Sequence, residues 1–124
     1  MNNEKLHELI IRLNEKTLAK QVIWKKSSGS EEFKLSLKTG PITVQKVQQR
    51  YNSAYIEISL YNLDGDMIEN HIVTEAHKDY QTALDLFTNV RRTFYKVEET
   101  LDDILSQLNT DDTLGKDEDD DLPF

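Results

Sequence analysis

The 124-residue chain has no cysteine, two prolines, four glycines and one tryptophan. Without cysteine it can form neither a disulfide framework nor a thiolate metal site. A small body must then be held by its apolar core. No apolar run approaches the roughly 20 residues that a bilayer-spanning helix needs. The opening residues Met1-Asn2-Asn3-Glu4-Lys5 lack the basic-then-apolar order of a secretory signal. These absences predict a cytoplasmic protein with no membrane partner. There is also no phosphate loop, no Gly-x-Ser-x-Gly turn and no Cys/His pair. His7, His71 and His77 show no ligand spacing. Glu98/Asp102 and Glu99/Asp103 are i,i+4 carboxylate pairs with no other ligand type beside them, so they read as a solvated helix face. Asp64 and Asp66 flank a glycine and are expected as turn residues. The expectation is a non-enzyme: no catalytic residue, no metal and no cofactor.

What the chain does have is charge, unevenly placed. The net charge is −8, from 23 acids and 15 bases. From Thr110 onward there are seven acids and one base, Lys116, which leaves 16 acids and 14 bases upstream. Lys20 to Arg50 holds seven bases against Glu31 and Glu32, whereas Ala54 to His77 holds five acids and no Lys or Arg. A nearly balanced body therefore carries a basic segment and an anionic tail.

Hydrophobic spacing predicts an α+β body over residues 1–109 and a disordered acidic tail over 110–124. Leu6, Leu9, Ile10 and Leu13 recur at helical spacing, giving an amphipathic helix from about Asn3 to Lys16. Val22-Ile23-Trp24 is a short strand candidate. Phe33, Leu35 and Leu37 alternate with Lys34, Ser36 and Lys38, as do Ile42 with Val44 and Ile56, Ile58 with Leu60. Asp64-Gly65 marks a hairpin, and Met67 to Val73 returns. Short turns between these segments imply an antiparallel meander of four to five strands with one face covered.

Beyond Asp79 the period becomes helical. Tyr80, Ala83, Phe87, Val90, Phe94, Val97, Leu101, Ile104 and Leu108 step by threes and fours, which predicts one long heptad helix of about 30 residues, roughly 45 Å. A small sheet cannot cover that length. The distal seam of Val97, Leu101, Ile104 and Leu108 therefore needs a second partner, either the N-terminal helix or a second subunit. The patch it would otherwise expose favours a homodimer.

The tail ends Asp119-Asp120-Asp121-Leu122-Pro123-Phe124. Acidic runs usually serve solubility, but here the acids give way to an apolar residue, a proline and a final aromatic. This order suits docking: Phe124 fills an apolar pocket while its carboxylate meets a basic rim. Pro123 holds the preceding residue extended, and Asp119 to Asp121 steer toward a basic surface. The six residues resemble the C-terminal tip of bacterial single-stranded DNA-binding proteins. In that family the tip recruits repair helicases, recombination mediators and exonucleases. The resemblance implies DNA repair and replication partners of that kind, with Pro123 and Phe124 as anchors. The body does not resemble that family, whose members begin with an OB-fold strand instead of a helix.

The basic segment offers a nucleic-acid face. Lys25, Lys26, Lys34, Lys38, Lys46, Arg50 and Tyr51 are candidates for single-stranded DNA, joined by Arg91 and Arg92 on the long helix, since cations track phosphates while aromatics stack on bases. Trp24 and Phe33 are expected in the core. The function implied is a non-enzymatic protein of DNA replication, recombination or repair. The alternative is a structural or regulatory interaction domain, of phage or mobile-element origin, whose tail solubilises it or mimics the tip.

Overall fold

A computed structural model of the protein describes residues 2–29 and 31–115. The elements are α1 (Asn3–Leu18), β1 (Lys25–Lys26), β2 (Glu32–Leu37), β3 (Gly40–Gln48), a 3-10 turn (Arg50–Asn52), β4 (Ala54–Tyr61), β5 (Met67–Val73), α2 (Tyr80–Phe94) and α3 (Val97–Leu108). No helix among the described residues is long and apolar enough to cross a membrane.

The start of α1 is fixed by Asn2, whose Oδ1 accepts the Lys5 backbone N–H at 2.8 Å, so one orphan donor of the first turn is satisfied. Leu6, Ile10, Leu13 and Thr17 form its buried stripe. Thr17 donates through Oγ1 to the Leu13 carbonyl at 2.7 Å and accepts the Trp24 indole N–H at 3.1 Å. That pairing draws Trp24 into the core, where a buried indole N–H needs a partner. It also corrects the expected strand. Val22-Ile23-Trp24 is not paired; β1 is Lys25–Lys26, and Ile23 is 73% exposed.

The five strands form one antiparallel sheet in the order β1-β2-β3-β4-β5, at the upper end of the expected four to five. Register sets Phe33 against Val44, Leu35 against Ile42, Val44 against Ile58 and Ile56 against Val73. Because alternate residues share a face, these side chains form one apolar surface. Leu6, Ile10 and Leu13 of α1 and Ala83, Leu86, Phe87 and Val90 of α2 complete the core with them. His7 meets Asp79, Asn14 meets Asn89 and Lys20 meets Glu99. The two helices therefore lie side by side and run in the same direction. The opposite sheet face is a polar ladder in which Asn70 donates to Glu57 at 2.6 Å and to Ser59 at 2.9 Å. At the β4–β5 turn, Asn62 Oδ1 accepts the N–H groups of Asp64 and Asp66, both at 3.0 Å, and Gly65 takes φ 87°.

The expected single C-terminal helix is two helices. Tyr95 closes α2, and Lys96 turns left-handed at φ 53°, ψ 48° before α3 begins. The break follows an aromatic cluster. Phe94 packs at 5.3 Å from Phe33 and edge-on to Tyr95 at 4.9 Å, and Tyr95 itself lies edge-on to Phe33 at 6.2 Å. At the end of this cluster the left-handed Lys96 redirects the chain. α3 has no buried residue. Leu101 and Ile104 are 44% exposed, Leu105 57% and Leu108 59%. α1 therefore does not cover the distal seam; the side-chain ties to α3 are ionic, Lys20 to Glu99 at 2.9 Å and Arg92 to Glu98. Hydrogen bonding and proximity to Glu99 raise the Lys20 pKa, and the bond from Lys20 lowers that of Glu99.

Gly40 is the position where the backbone admits no side chain. It sits at φ 134°, and a Cβ there would lie 2.1 Å from the Tyr61 carbonyl oxygen. At Gly65 nothing lies within 4 Å of that point. Gly40→Ala should lower unfolding free energy by about 3 kcal/mol or more, since both strain and a backbone clash act. Gly65→Ala should cost about 1–2 kcal/mol, from backbone strain alone. Urea unfolding of the two variants measures this, and equal losses would contradict the close approach of β3 to β4.

Candidate nucleic-acid interface

The predicted basic residues do not form one patch. Strand alternation sends Lys25 and Lys26 to opposite faces. Lys25 pairs across to Lys34 on the polar ladder side, while Lys26 pairs with Phe33 and holds Nζ 4.9 Å from its ring and 5.9 Å from that of Tyr95. Lys38 sits in the β2–β3 turn, at the end of the sheet away from the β3–β4 loop that carries Arg50 and Tyr51.

The structure does bring three of the candidates together. Lys46 near the end of β3 and Arg91 and Arg92 on α2 line one groove of about 510 Å³, with Glu31, Gln48, Phe87 and Thr88. Arg91 is oriented from two sides, by Glu31 at 3.6 Å and by the Tyr95 ring, 5.1 Å from its Cζ. Arg92 is held by Glu98 at the start of α3. Lys46 is anchored through its backbone, its N–H donating to the Glu31 carbonyl at 3.1 Å. Three cations line the groove with Phe87, and two of them are paired, Arg91 with Glu31 and Arg92 with Glu98. Such a groove can take a phosphate-bearing chain: guanidinium and ammonium groups follow the phosphates.

The adjoining loop adds an aromatic. Gln48 lines the groove, and two residues on, Arg50 begins the 3-10 turn. Ser53 closes the loop: its carbonyl accepts the Gln49 N–H and the Gln48 side-chain amide, both at 2.8 Å, and its hydroxyl donates to the Arg50 carbonyl at 3.1 Å. This closure holds Tyr51 at φ 63°, ψ 35° and leaves it 97% exposed. A non-glycine residue in that region carries strain, and a tyrosine presented almost wholly to solvent is suited to stacking on a base. Trp24 and Phe33 are buried, as expected.

Glu31, Gln48, Phe87 and Thr88 were not among the sequence candidates, because only the α2-to-sheet packing brings them beside Lys46. A buried carboxylate was also missed. Asp79 pairs with His7 Nδ1 at 2.8 Å, and its own N–H donates to His77 Nδ1 at 2.9 Å. That cluster fastens the start of α1 to the start of α2. The docking residues Asp119, Asp120, Asp121, Leu122, Pro123 and Phe124 lie outside the described residues.

No protein-family model, no curated protein and no solved structure matches the chain. Fluorescence anisotropy with a labelled thymidine oligonucleotide at low salt should detect binding. Lys46→Ala should reduce the slope of log affinity against log salt by about one. Tyr51→Ala should cost about 1–3 kcal/mol of stacking. Lys38→Ala, at the far end of the sheet, should change little. Equal losses at Lys38 and Lys46, or no binding by the parent protein, would contradict the assignment.

Proposed function

We propose that this is a non-enzymatic, cytoplasmic protein of DNA metabolism whose C-terminal segment docks onto the proteins that read the tip of bacterial single-stranded DNA-binding protein. Its body contributes a single-stranded DNA surface along Tyr51, Arg50, Lys46, Arg91 and Arg92. The observation that carries the reading is the segment Asp119-Asp120-Asp121-Leu122-Pro123-Phe124, in which all six residues fit the pattern of that tip. Phe124 and Pro123 supply the apolar anchors, and the three aspartates supply encounter with a basic surface. The groove beside α2 supports the reading independently, because a protein delivered to a single-stranded DNA site gains from touching the strand itself.

One observation favours a second reading. α3 turns an apolar stripe outward, and Glu98, Glu99, Asp102, Asp103, Asp111 and Asp112 come after Lys96 without an intervening base. A protein-interaction domain with a solubilising tail accounts for both without any contact to DNA.

Calorimetry against a tip-reading repair exonuclease separates the two. The parent protein should bind at about micromolar strength, near −8 kcal/mol. Phe124→Ala should remove binding by emptying the pocket, and a peptide tag fused after Phe124 should do the same if a free carboxylate is read. Raising salt should weaken binding partly, since the aspartate contribution is screened and the Phe124 contribution is not. Retention of binding by Phe124→Ala, with a loss of solubility on removing the acids, would favour the second reading.

A further inference from the structure

The groove beside α2 and the start of α3 share one side chain. Arg92 lines the groove of about 510 Å³ together with Lys46 and Arg91. It also lines a second cavity, of about 360 Å³, which Lys20, Lys96, Glu98 and Glu99 border. Its Nη2 donates to Glu98 Oε1. Arg92 therefore belongs both to the surface read as a nucleic-acid site and to the junction that holds α3.

That junction is held mainly by charge. No residue of α3 is buried, and Val97 at its start is half-buried. The ion pairs that tie α3 to the body are Arg92 to Glu98 and Lys20 to Glu99 at 2.9 Å. All four side chains are between 43% and 65% exposed. Exposed ion pairs hold weakly and are screened by salt. The backbone joins α3 to α2 through Lys96, left-handed at φ 53°. A weak clamp on a short helix beyond a strained joint can open without disturbing the core. Its cations are also of the kind that phosphate binds, because a guanidinium takes carboxylate and phosphate through the same planar fork.

We propose that Glu98 and Glu99 occupy Arg92 and Lys20 in place of nucleic-acid phosphates, so that a strand entering the groove displaces Glu98 and frees α3. The inference rests on the reading of the groove as a single-stranded DNA surface and adds the regulation of that surface. A phosphate brought to Arg92 sets a second anion beside Glu98, and one guanidinium no longer balances both. The strand wins this contest because its neighbouring phosphates meet Lys46 and Arg91 at the same time. With Arg92 taken, the Lys20–Glu99 pair alone clamps the helix. Linkage makes the effect reciprocal: if the strand favours release of α3, release of α3 favours the strand by the same factor. Glu31 supplies the contrast. It also neutralises a groove cation, but its partner is Arg91 and it lies just ahead of β2, so its removal should favour the strand without moving α3.

The chain has no cysteine, so Glu15→Cys combined with Gln107→Cys places one spin label on α1 and one on α3 of the full-length protein. Without ligand, the distance distribution between them should be narrow. A saturating thymidine oligonucleotide should shift and broaden it. The double variant Glu98→Gln, Glu99→Gln should show the broadened distribution without oligonucleotide and should bind the oligonucleotide several-fold tighter by fluorescence anisotropy. Glu31→Gln should tighten binding and keep the narrow distribution. Binding with the distribution unchanged would overturn the proposal and leave the reading of the groove intact, as would a broad distribution in the free protein or a double variant that binds no tighter. Failure of both the parent and the double variant to bind would remove the groove reading and this proposal together.

Discussion

The structure depends on a single limit: among the described residues, the buried core lies between one sheet face and the two helices that cover it. α2 has 15 residues, about 22 Å, which fits within the roughly 30 Å of the nine-residue strand β3. Phe33, fully buried, meets Phe87 and Phe94 of α2. The left-handed Lys96 is where the chain leaves its own core, and α3 is directed outward from there.

The same break arranges the charges. Arg91 and Arg92 fall in the last turn of α2, and Glu98 and Glu99 fall in the first turn of α3. Each set complements the dipole of its own helix end, so the junction is stabilised by placing cations before it and anions after it. The cations turn toward β3 and form the groove with Lys46. The anions begin a run of negative charge that extends into the tail. A cationic groove and an anionic segment thus lie on either side of one helix termination, and the Arg92–Glu98 pair links them.

Much of this was legible in residue order. Period-two alternation located β2, β3 and β4, because a half-buried strand writes its burial directly into its sequence, and Asp64-Gly65 located the hairpin that returns as β5. The helical break was not legible. Apolar residues keep the three-four spacing from Tyr80 through Leu108, α3 is itself amphipathic, and no glycine or proline marks Tyr95-Lys96. Periodicity reports which face is apolar and is blind to whether a surface exists to receive it. Trp24 misled for a related reason. Its burial comes from a hydrogen bond to Thr17 in α1, a tertiary contact, and not from strand pairing. The basic residues were identifiable one by one, but their grouping was not. Lys46 and Arg91 meet only through packing of α2 on the sheet, while alternation separates the neighbours Lys25 and Lys26, and the meander carries Lys38 to the far end.

On the function proposed, this chain competes for the site that reads the tip of single-stranded DNA-binding protein. The most direct measurement is displacement. A fluorescent peptide ending in that tip is bound to a tip-reading exonuclease, and unlabelled full-length protein is added. The account predicts that anisotropy falls to the free-peptide value as the protein is titrated, and that Phe124→Ala leaves it unchanged. Binding of the protein to the exonuclease without release of the peptide, or equal release by Phe124→Ala, would contradict it.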